Sequence, residues 1–382
     1  MNDKTTLSNE YYIKKALLLA RKGAGRVSPN PMVGALVVKD NTIMGTGYHH
    51  YYGGDHAEID AIRDAKGQTE KATLYVTLEP CCHYEKKTPP CTEAILESKF
   101  SKVVIGTLDP NPLVAGKAIK IFRQHNIETE VGVLENECHK LNEAYWKYIS
   151  SRIPFVTLKY AQSLDGKIAT ASGNSQWISS PPSQKLAHRL RSINDGILVG
   201  INTVLLDNPE LTTRLVKGKN PLRIVLDSKL KISLGAKVLK EQIVAPTLIA
   251  TTAQADRTKL AELKTAGVEV LVVREDKNGG ISLPDLLGIL GERNIASLLV
   301  EGGATTITSF LQAGLADKVI MIIAPKIIGR GIEAIGDLNT VDIDQALTLS
   351  PTRVHRSGPD IIVEAEFIKK WKAAWHLIKN QP

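Results

Sequence analysis

Three short clusters hold the residues best suited to chemistry. His56-Ala57-Glu58, Pro80-Cys81 and Pro90-Cys91 all fall between positions 56 and 91 of a 382-residue chain. One imidazole and two thiolates suit Zn2+, which binds nitrogen and sulfur in tetrahedral sites. Three protein ligands leave the fourth position to water, and the metal draws the pKa of that water toward neutrality. Glu58 lies close to the metal without being needed as a ligand, which fits it to shuttle a proton. A structural zinc is the alternative. Such a site takes four protein ligands, and the candidates for the fourth, Cys82 and His83, adjoin a ligand already used. Cys82 reads as a small buried neighbour and Cys138 as a core cysteine. His125, His139 and His188 read as surface or packing residues.

The pattern around these clusters predicts the elements that hold them. Apolar spacing predicts a helix over Tyr11 to Ala20, and a β-branched run predicts a strand over Val33 to Val38. A second strand near Thr42 to Tyr48, a Gly-Gly turn and a helix from about His56 to Lys66 follow. The strand Thr73 to Thr77 leads into the cysteine loop. Beyond it come a helix (Thr92 to Ser98), a strand (Lys102 to Gly106), a helix (Lys117 to His125), a strand (Thr129 to Val133) and one helix from Glu135 to Ile149. Strands alternating with helices imply an α/β layered domain. The polar and Pro signals at Ser150 to Pro154 mark a linker, so the domains are set at 1-149 and 150-382. The second half restarts with the strand PFVTLKYAQS. Further strands are predicted at Gly196 to Val199, Leu222 to Leu226, Thr247 to Thr251, Val268 to Val273, Ser297 to Val300 and Lys318 to Ile323, again with helical spacing between several of them.

With 43% hydrophobic and 23% charged residues, the composition is that of an ordinary globular protein and not a disordered or fibrous one. The N-terminal apolar run is short and has no small-residue cleavage site behind it, so no leader and no membrane span is expected. Three of the four cysteines lie within eleven residues, a distribution that suits metal binding in a reducing, cytoplasmic setting better than a disulfide framework. Split at residue 150, the chain has 19 basic and 18 acidic residues before and 29 and 22 after, a net of +1 against +7. That excess suits phosphorylated ligands in the second half, and scattered surface lysines would give the same sum.

The clusters resemble the zinc nucleobase deaminase signature, HxE followed by PC and a second Cys. The long interval between Cys81 and Cys91 narrows the match. TLEPC, a following His, TPPC and DPNPLVAGK (Asp109 to Lys117), with PNPMVGA (Pro29 to Ala35) and GGDHAE (Gly53 to Glu58), resemble the deaminase domain of the bifunctional deaminase-reductase family of riboflavin biosynthesis. The chain departs from that family at Cys82, Glu85 and Lys86-Lys87, where a Ser, then a Gly and a basic residue in a loop one residue shorter, are usual. In the second half LKYAQSLDGKIA (Leu158 to Ala169), SGNSQWIS (Ser172 to Ser179), VGINTVLLDNPELTTR (Val199 to Arg214), LDS (Leu226 to Ser228) and VEGGATT (Val300 to Thr306) are similar to the reductase domain of the same family. This second resemblance covers residues from about 153 to 335.

The resemblance implies a cytidine-deaminase-like three-layer α/β/α domain followed by a dihydrofolate-reductase-like α/β domain, with Zn2+ and NADPH as cofactors. It implies that Ser175, Arg191, Leu211, Arg214 and Glu301 contact a phosphorylated pyrimidine substrate, Arg191 and Arg214 being suited to gripping phosphate bidentately. It further implies that Ala161, Trp177, Thr203, Asp207, Ser228, Gly303, Ala304, Thr305, Thr306, Ile307, Thr308 and Ser309 line the cofactor. Lys159 and Glu301 become the candidates for polarising or protonating the sugar. Gly302-Gly303 after an apolar strand would let the backbone approach a pyrophosphate, although no GxGxxG follows the first strand of this half. Taken alone, each arginine could be in a surface ion pair and Trp177 in the core. A homo-oligomer without nucleic-acid or membrane partners is expected. Two rivals remain: a nucleoside or tRNA deaminase, which the first cluster alone would permit, and a nucleic-acid-binding module with structural zinc, suggested by the basic tail. In that tail Ile368, Trp371, Trp375 and Ile378 have the spacing of a packing helix.

Overall fold

The computed structural model describes residues 7–84 and 89–367. Glu85, Lys86 and Lys87 of the cysteine loop, and the expected tail helix with Ile368, Trp371, Trp375 and Ile378, lie outside the described residues. The chain divides between Ser151 and Arg152 into two compact units.

The first unit runs α1 (Asn9–Ala20), β1 (Gly34–Lys39), β2 (Thr42–Tyr48), α2 (Ala57–Asp64), β3 (Thr73–Leu78), α3 (Cys91–Glu97), β4 (Lys102–Thr107), α4 (Lys117–Gln124), β5 (Glu128–Val131), α5 (Glu135–Leu141) and α6 (Glu143–Ser151). Its five strands form one sheet in the order β2-β1-β3-β4-β5. The pairs among β2, β1 and β3 are antiparallel, and β3, β4 and β5 run parallel. Strand alternation sends successive side chains to opposite faces. Ala35 and Val37 pack with α2, α3 and α4, while Leu36 and Val38 pack with α1 and Cys138 of α5. The result is a three-layer α/β/α unit.

Helix α2 sits unusually close to the sheet. A Cβ on Gly45 would lie 2.3 Å from the Ala61 carbonyl oxygen, and one on Gly47 would lie 2.2 Å from that of Ala57. Alanines on one side and glycines on the other allow backbone to meet backbone, which fixes the start of α2. The single helix expected over Glu135 to Ile149 is two helices. They break at Asn142, whose side chain accepts from Met32 N at 2.7 Å and donates to Met32 O at 2.9 Å. α6 then continues through Ser150 and Ser151, so the first unit extends past the expected boundary after residue 149.

The second unit contains β6 (Phe155–Ser163), β7 (Lys167–Thr170), α7 (Pro181–Ile193), β8 (Gly196–Gly200), α8 (Ile201–Asp207), β9 (Leu222–Leu226), β10 (Thr247–Thr251), α9 (Arg257–Thr265), β11 (Glu269–Val272), α10 (Leu283–Glu292), β12 (Ser297–Val300), α11 (Ala304–Gln312), β13 (Lys318–Ala324), β14 (Gly331–Glu333), β15 (Leu349–Ser357) and β16 (Asp360–Phe367). Nine strands form a mixed sheet in the order β11-β10-β9-β8-β12-β6-β13-β16-β15. The strands from β11 to β13 are parallel, and β16 and β15 join antiparallel. Leu198, Ile224, Leu248 and Leu298 pack with α10 and α11. Their neighbours Ile197, Val199, Val225, Ile249 and Leu299 pack with Leu263 of α9 on the other face. The β15–β16 hairpin and the short β7–β14 ribbon were not among the strands expected from the sequence.

Candidate active sites

Parallel sheets bind ligands at the carboxyl ends of their strands, and both units keep to that rule. In the first, Cys81 lies just beyond the end of β3, Cys91 is the first residue of α3, and His56 occupies the N-cap of α2. His56 Nδ1 is 3.4 Å from Cys81 Sγ and 3.3 Å from Cys91 Sγ, and the three donor atoms lie within 4.8 Å of one another. Ligands bound tetrahedrally to zinc at ordinary bond lengths stand about 3.5 Å apart, so the donor set fits that ion. The Cys91 amide donates to Cys81 Sγ at 3.3 Å, which favours the thiolate. Among the described residues this is the only group of three or more such side chains placed to share a metal. Cys82 is not part of it, its Sγ pointing to the Leu113 carbonyl at 3.7 Å.

Glu58 is buried in the first turn of α2, two positions from His56. His49 packs edge-on to His56, with ring centroids 5.3 Å apart, and pairs with Asn30 Nδ2 at 3.2 Å and the Asp55 carbonyl at 2.9 Å. Burial, first among its surroundings, lowers the His49 pKa. Two further buried carboxylates escaped the sequence reading. Glu79 accepts from the amides of Asp109, Gly116 and Ala118 at 3.3, 2.9 and 3.1 Å, thereby tying down the DPNPLVAGK segment. Asp109 accepts from Asn111 N at 2.8 Å and Tyr145 Oη at 2.9 Å. Burial raises each to about 7. Both stand in quoted motifs, TLEPC and DPNP, and an acid inside an apolar strand ending was the available signal.

In the second unit a cleft of about 1560 Å3 opens at the ends of β6, β8, β9 and β12. That exceeds an ordinary small-molecule pocket and suits two ligands at once. Lys159, Ala161, Ser175, Trp177, Arg191, Thr203, Asp207, Leu211, Arg214, Ser228, Glu301, Gly303, Ala304, Thr305, Thr306 and Ser309 line it. Two expected residues do not. Ile307 is fully buried in the core, and Thr308 Oγ1 bonds the Ala304 carbonyl and the Gly336 amide, both at 2.7 Å. Successive helix positions turn by about 100°, so α11 cannot present all its side chains to one ligand. Trp177 is 63% exposed on the cleft wall and not in the core.

Strand register joins Lys159 to Glu301. Leu158 of β6 pairs with Val300 of β12, so the next residues are neighbours, with Lys159 Nζ 3.7 Å from Glu301 Oε2. Arg191 grips the same carboxylate through Nε at 3.0 Å and an η nitrogen at 2.8 Å. Arg191 thus lines the cleft with one edge of its guanidinium on Glu301. Arg214, half exposed at the cleft, lies 3.5 Å from Glu210. Although burial alone would raise the Glu301 pKa, Arg191 and then Lys159 hold it at about 2. Ser175 Oγ donates to Asp207 Oδ1 at 3.3 Å, and burial raises the Asp207 pKa.

Comparison with known proteins agrees with this division. The family model described as RibD C-terminal domain matches residues 154–363. Another, the cytidine and deoxycytidylate deaminase zinc-binding region, matches residues 7–107. The riboflavin biosynthesis protein RibD of Aquifex aeolicus is 46% identical over 94% of this chain and 98% of its own length. The chain belongs to the RibD family. The RibD protein of Escherichia coli is 36% identical over 93% of the chain and 98% of its own length. A Thermotoga maritima crystal structure, described as a diaminohydroxyphosphoribosylaminopyrimidine deaminase/5-amino-6-(5-phosphoribosylamino)uracil reductase, is 41% identical. It superposes with a TM-score of 0.82, covering 94% of this chain and 99% of that one. Acinetobacter baumannii RibD, 35% identical, gives 0.84 over 94% of this chain and 99% of its own. As a RibD-family member the chain is a bifunctional deaminase and reductase of riboflavin biosynthesis, with a zinc-binding deaminase unit. The reductase match extends beyond residue 335, the limit of the sequence resemblance, through β15 and into β16.

Proposed function

We propose that the unit ending at Ser151 hydrolytically deaminates 2,5-diamino-6-(5-phosphoribosylamino)pyrimidin-4-one. The unit beginning at Arg152 then uses NADPH to reduce the ribosyl group of the resulting 5-amino-6-(5-phosphoribosylamino)uracil to ribityl. The observation that carries this reading is that one chain holds both the His56, Cys81 and Cys91 donor set beside Glu58 and the cleft in which Lys159 meets Glu301.

In the first unit His56, Cys81 and Cys91 hold Zn2+, which when bound supplies an acidified water. Glu58 would take a proton from the attacking water and deliver it to the ring nitrogen as the water oxygen bonds the ring carbon, then carry the proton of the new hydroxyl to the amine, so that the C–N bond breaks, ammonia leaves and a carbonyl forms. In the second, NADPH supplies the hydride that the sugar C1 receives. Lys159 protonates the sugar oxygen as the ring opens. Glu301 stays ionised and holds the Lys159 ammonium in place. Arg214, Ser175 and Leu211 contact the phosphoribosyl group. Ala161, Thr203, Asp207, Ser228, Trp177 and the first turn of α11 line the cofactor, with Gly303 giving its phosphates access to helix amides.

Among the described residues no helix is long and apolar enough to cross a membrane. A cytoplasmic setting is supported by the clustering of three of the four cysteines within eleven residues, which suits a metal site better than disulfides, and a homo-oligomer by β15, the terminal strand of the large sheet, with Val354 62% exposed. Light scattering of the purified chain at a mass above 41.6 kDa is the expected result for the latter. No nucleic-acid partner is proposed. Product analysis tests the reading as a whole: with the diaminopyrimidinone alone, the uracil compound and ammonia should form and the sugar should stay closed. An unchanged diaminopyrimidinone in zinc-replete protein would favour a nucleoside or RNA deaminase.

A further inference from the structure

Residues 210–215 border the cleft and have no helix or strand of their own. Backbone groups without a ladder must find partners elsewhere, and here side chains provide them. Arg223 donates to the Glu210 carbonyl at 3.2 Å, Arg191 to the Thr212 carbonyl at 3.3 Å, and Asn220 Oδ1 accepts from Thr213 N at 2.7 Å. His188 completes the set. Its Nδ1 accepts from Arg214 N at 3.0 Å and Leu215 N at 3.5 Å. His188 and Arg191 lie three positions apart on α7, hence on one helix face.

An imidazole that accepts at Nδ1 is neutral and carries its proton on Nε2. His188 is 4% exposed, and the charged groups around it are Arg191, Arg214, Glu301 and Lys159. Burial, then Arg191 and Arg214, lower its pKa to about 4. The neutral acceptor therefore persists through the physiological range.

We infer that His188 is a positioning residue of the reductase, its Nδ1 fixing the Arg214 and Leu215 amides so that Arg214 is held ready for the ribosyl phosphate. The inference rests on the assignment of Arg214 as a phosphate contact made above. A loop fixed in advance spares the cost of ordering it on binding, so its loosening raises KM and leaves kcat.

The test uses the full chain with NADPH and the aminouracil ribosyl phosphate. His188→Leu should raise KM about tenfold, the worth of one anchoring hydrogen bond, with kcat within about twofold. His188→Asn, whose Oδ1 can stand where Nδ1 stood, should restore KM. Should His188→Leu also lose NADPH binding, the domain is damaged and the Asn variant decides alone, by keeping the parent KM. An unchanged KM in His188→Leu, or a KM in His188→Asn as poor as in a damaged or unanchored variant, would overturn the inference. Nitrogen-15 spectra of histidine-labelled protein give a readout independent of the substrate. The resonance pair that vanishes in His188→Asn should show an unprotonated Nδ1 and a protonated Nε2 between about pH 6 and 8, and the opposite tautomer would sink the idea. Arg214→Ala is measured in parallel. If its KM is unchanged the phosphate assignment fails, while the nitrogen spectra still decide whether the clamp exists.

Discussion

At the scale of single residues, the zinc donors were legible because their chemistry is local. His56, Cys81 and Cys91 are adjacent to strand ends and helix starts, and those boundaries were marked by Pro80 and Pro90. The pairing of Arg191 with Glu301 was not legible, because it spans 110 positions and depends on how α7 lies over β12. Removing one partner of so buried a pair leaves an uncompensated charge, at a cost of about 3–5 kcal/mol. Acid should expose both this pair and His188. The unfolded chain takes up a proton at His188 near 6.5 but the folded chain only near 4, and at Glu301 the corresponding values are near 4.5 and 2. The unfolded state thus binds more protons throughout that range, so stability falls as pH falls. The melting temperature of the reductase unit, followed by calorimetry, should decline from pH 7 to 4, and His188→Asn should flatten the upper part of that decline. A flat profile in the parent chain would contradict the folded-state assignments.

At the scale of elements, the two glycines after β12 divide their labour. A Cβ on Gly302 would lie 2.5 Å from Thr306 Cβ, whereas the nearest atom to one on Gly303 is Thr203 Oγ1 at 3.8 Å. Gly302 is therefore a packing requirement and Gly303 an opening to the cleft. Gly302→Ala should destabilise the unit by about 1–3 kcal/mol, as overpacking does, measured by urea unfolding. Gly303→Ala should keep parent stability and bind NADPH more weakly by fluorescence titration. The sequence marked both as one approach to pyrophosphate and could not separate them, since the distinction lies in how α11 turns back on β12. The same limit explains the helix expected over Glu135 to Ile149. Helical spacing was right on both sides, but the break at Asn142 is imposed by Met32, 110 positions away. The parallel strands β6, β8, β9, β10, β11, β12 and β13 were readable from their continuous apolar runs. The β15–β16 hairpin was not, because one face of it is exposed and its pattern is broken by charges such as Arg353, Arg356 and Glu364.

At the scale of the whole molecule, two independently cored units house two chemistries that share no described side chain. The donor set belongs to residues 56–91 and the cleft to residues 159–339. Chelation should therefore abolish ammonia release while leaving NADPH oxidation on the aminouracil compound, with about one zinc per chain lost by elemental analysis. Loss of both activities together would mean that the metal also holds the reductase in its working form. The central claim, that Glu58 and Lys159 serve successive steps, is tested most directly by following ammonia and NADPH absorbance together on the diaminopyrimidinone. Lys159→Ala should release ammonia at the parent rate and oxidise no NADPH. Glu58→Gln should lose about 10²–10⁴ in ammonia release and oxidise NADPH only when given the aminouracil compound. Ammonia release at the parent rate from Glu58→Gln, or NADPH oxidation at the parent rate by Lys159→Ala, would contradict the account.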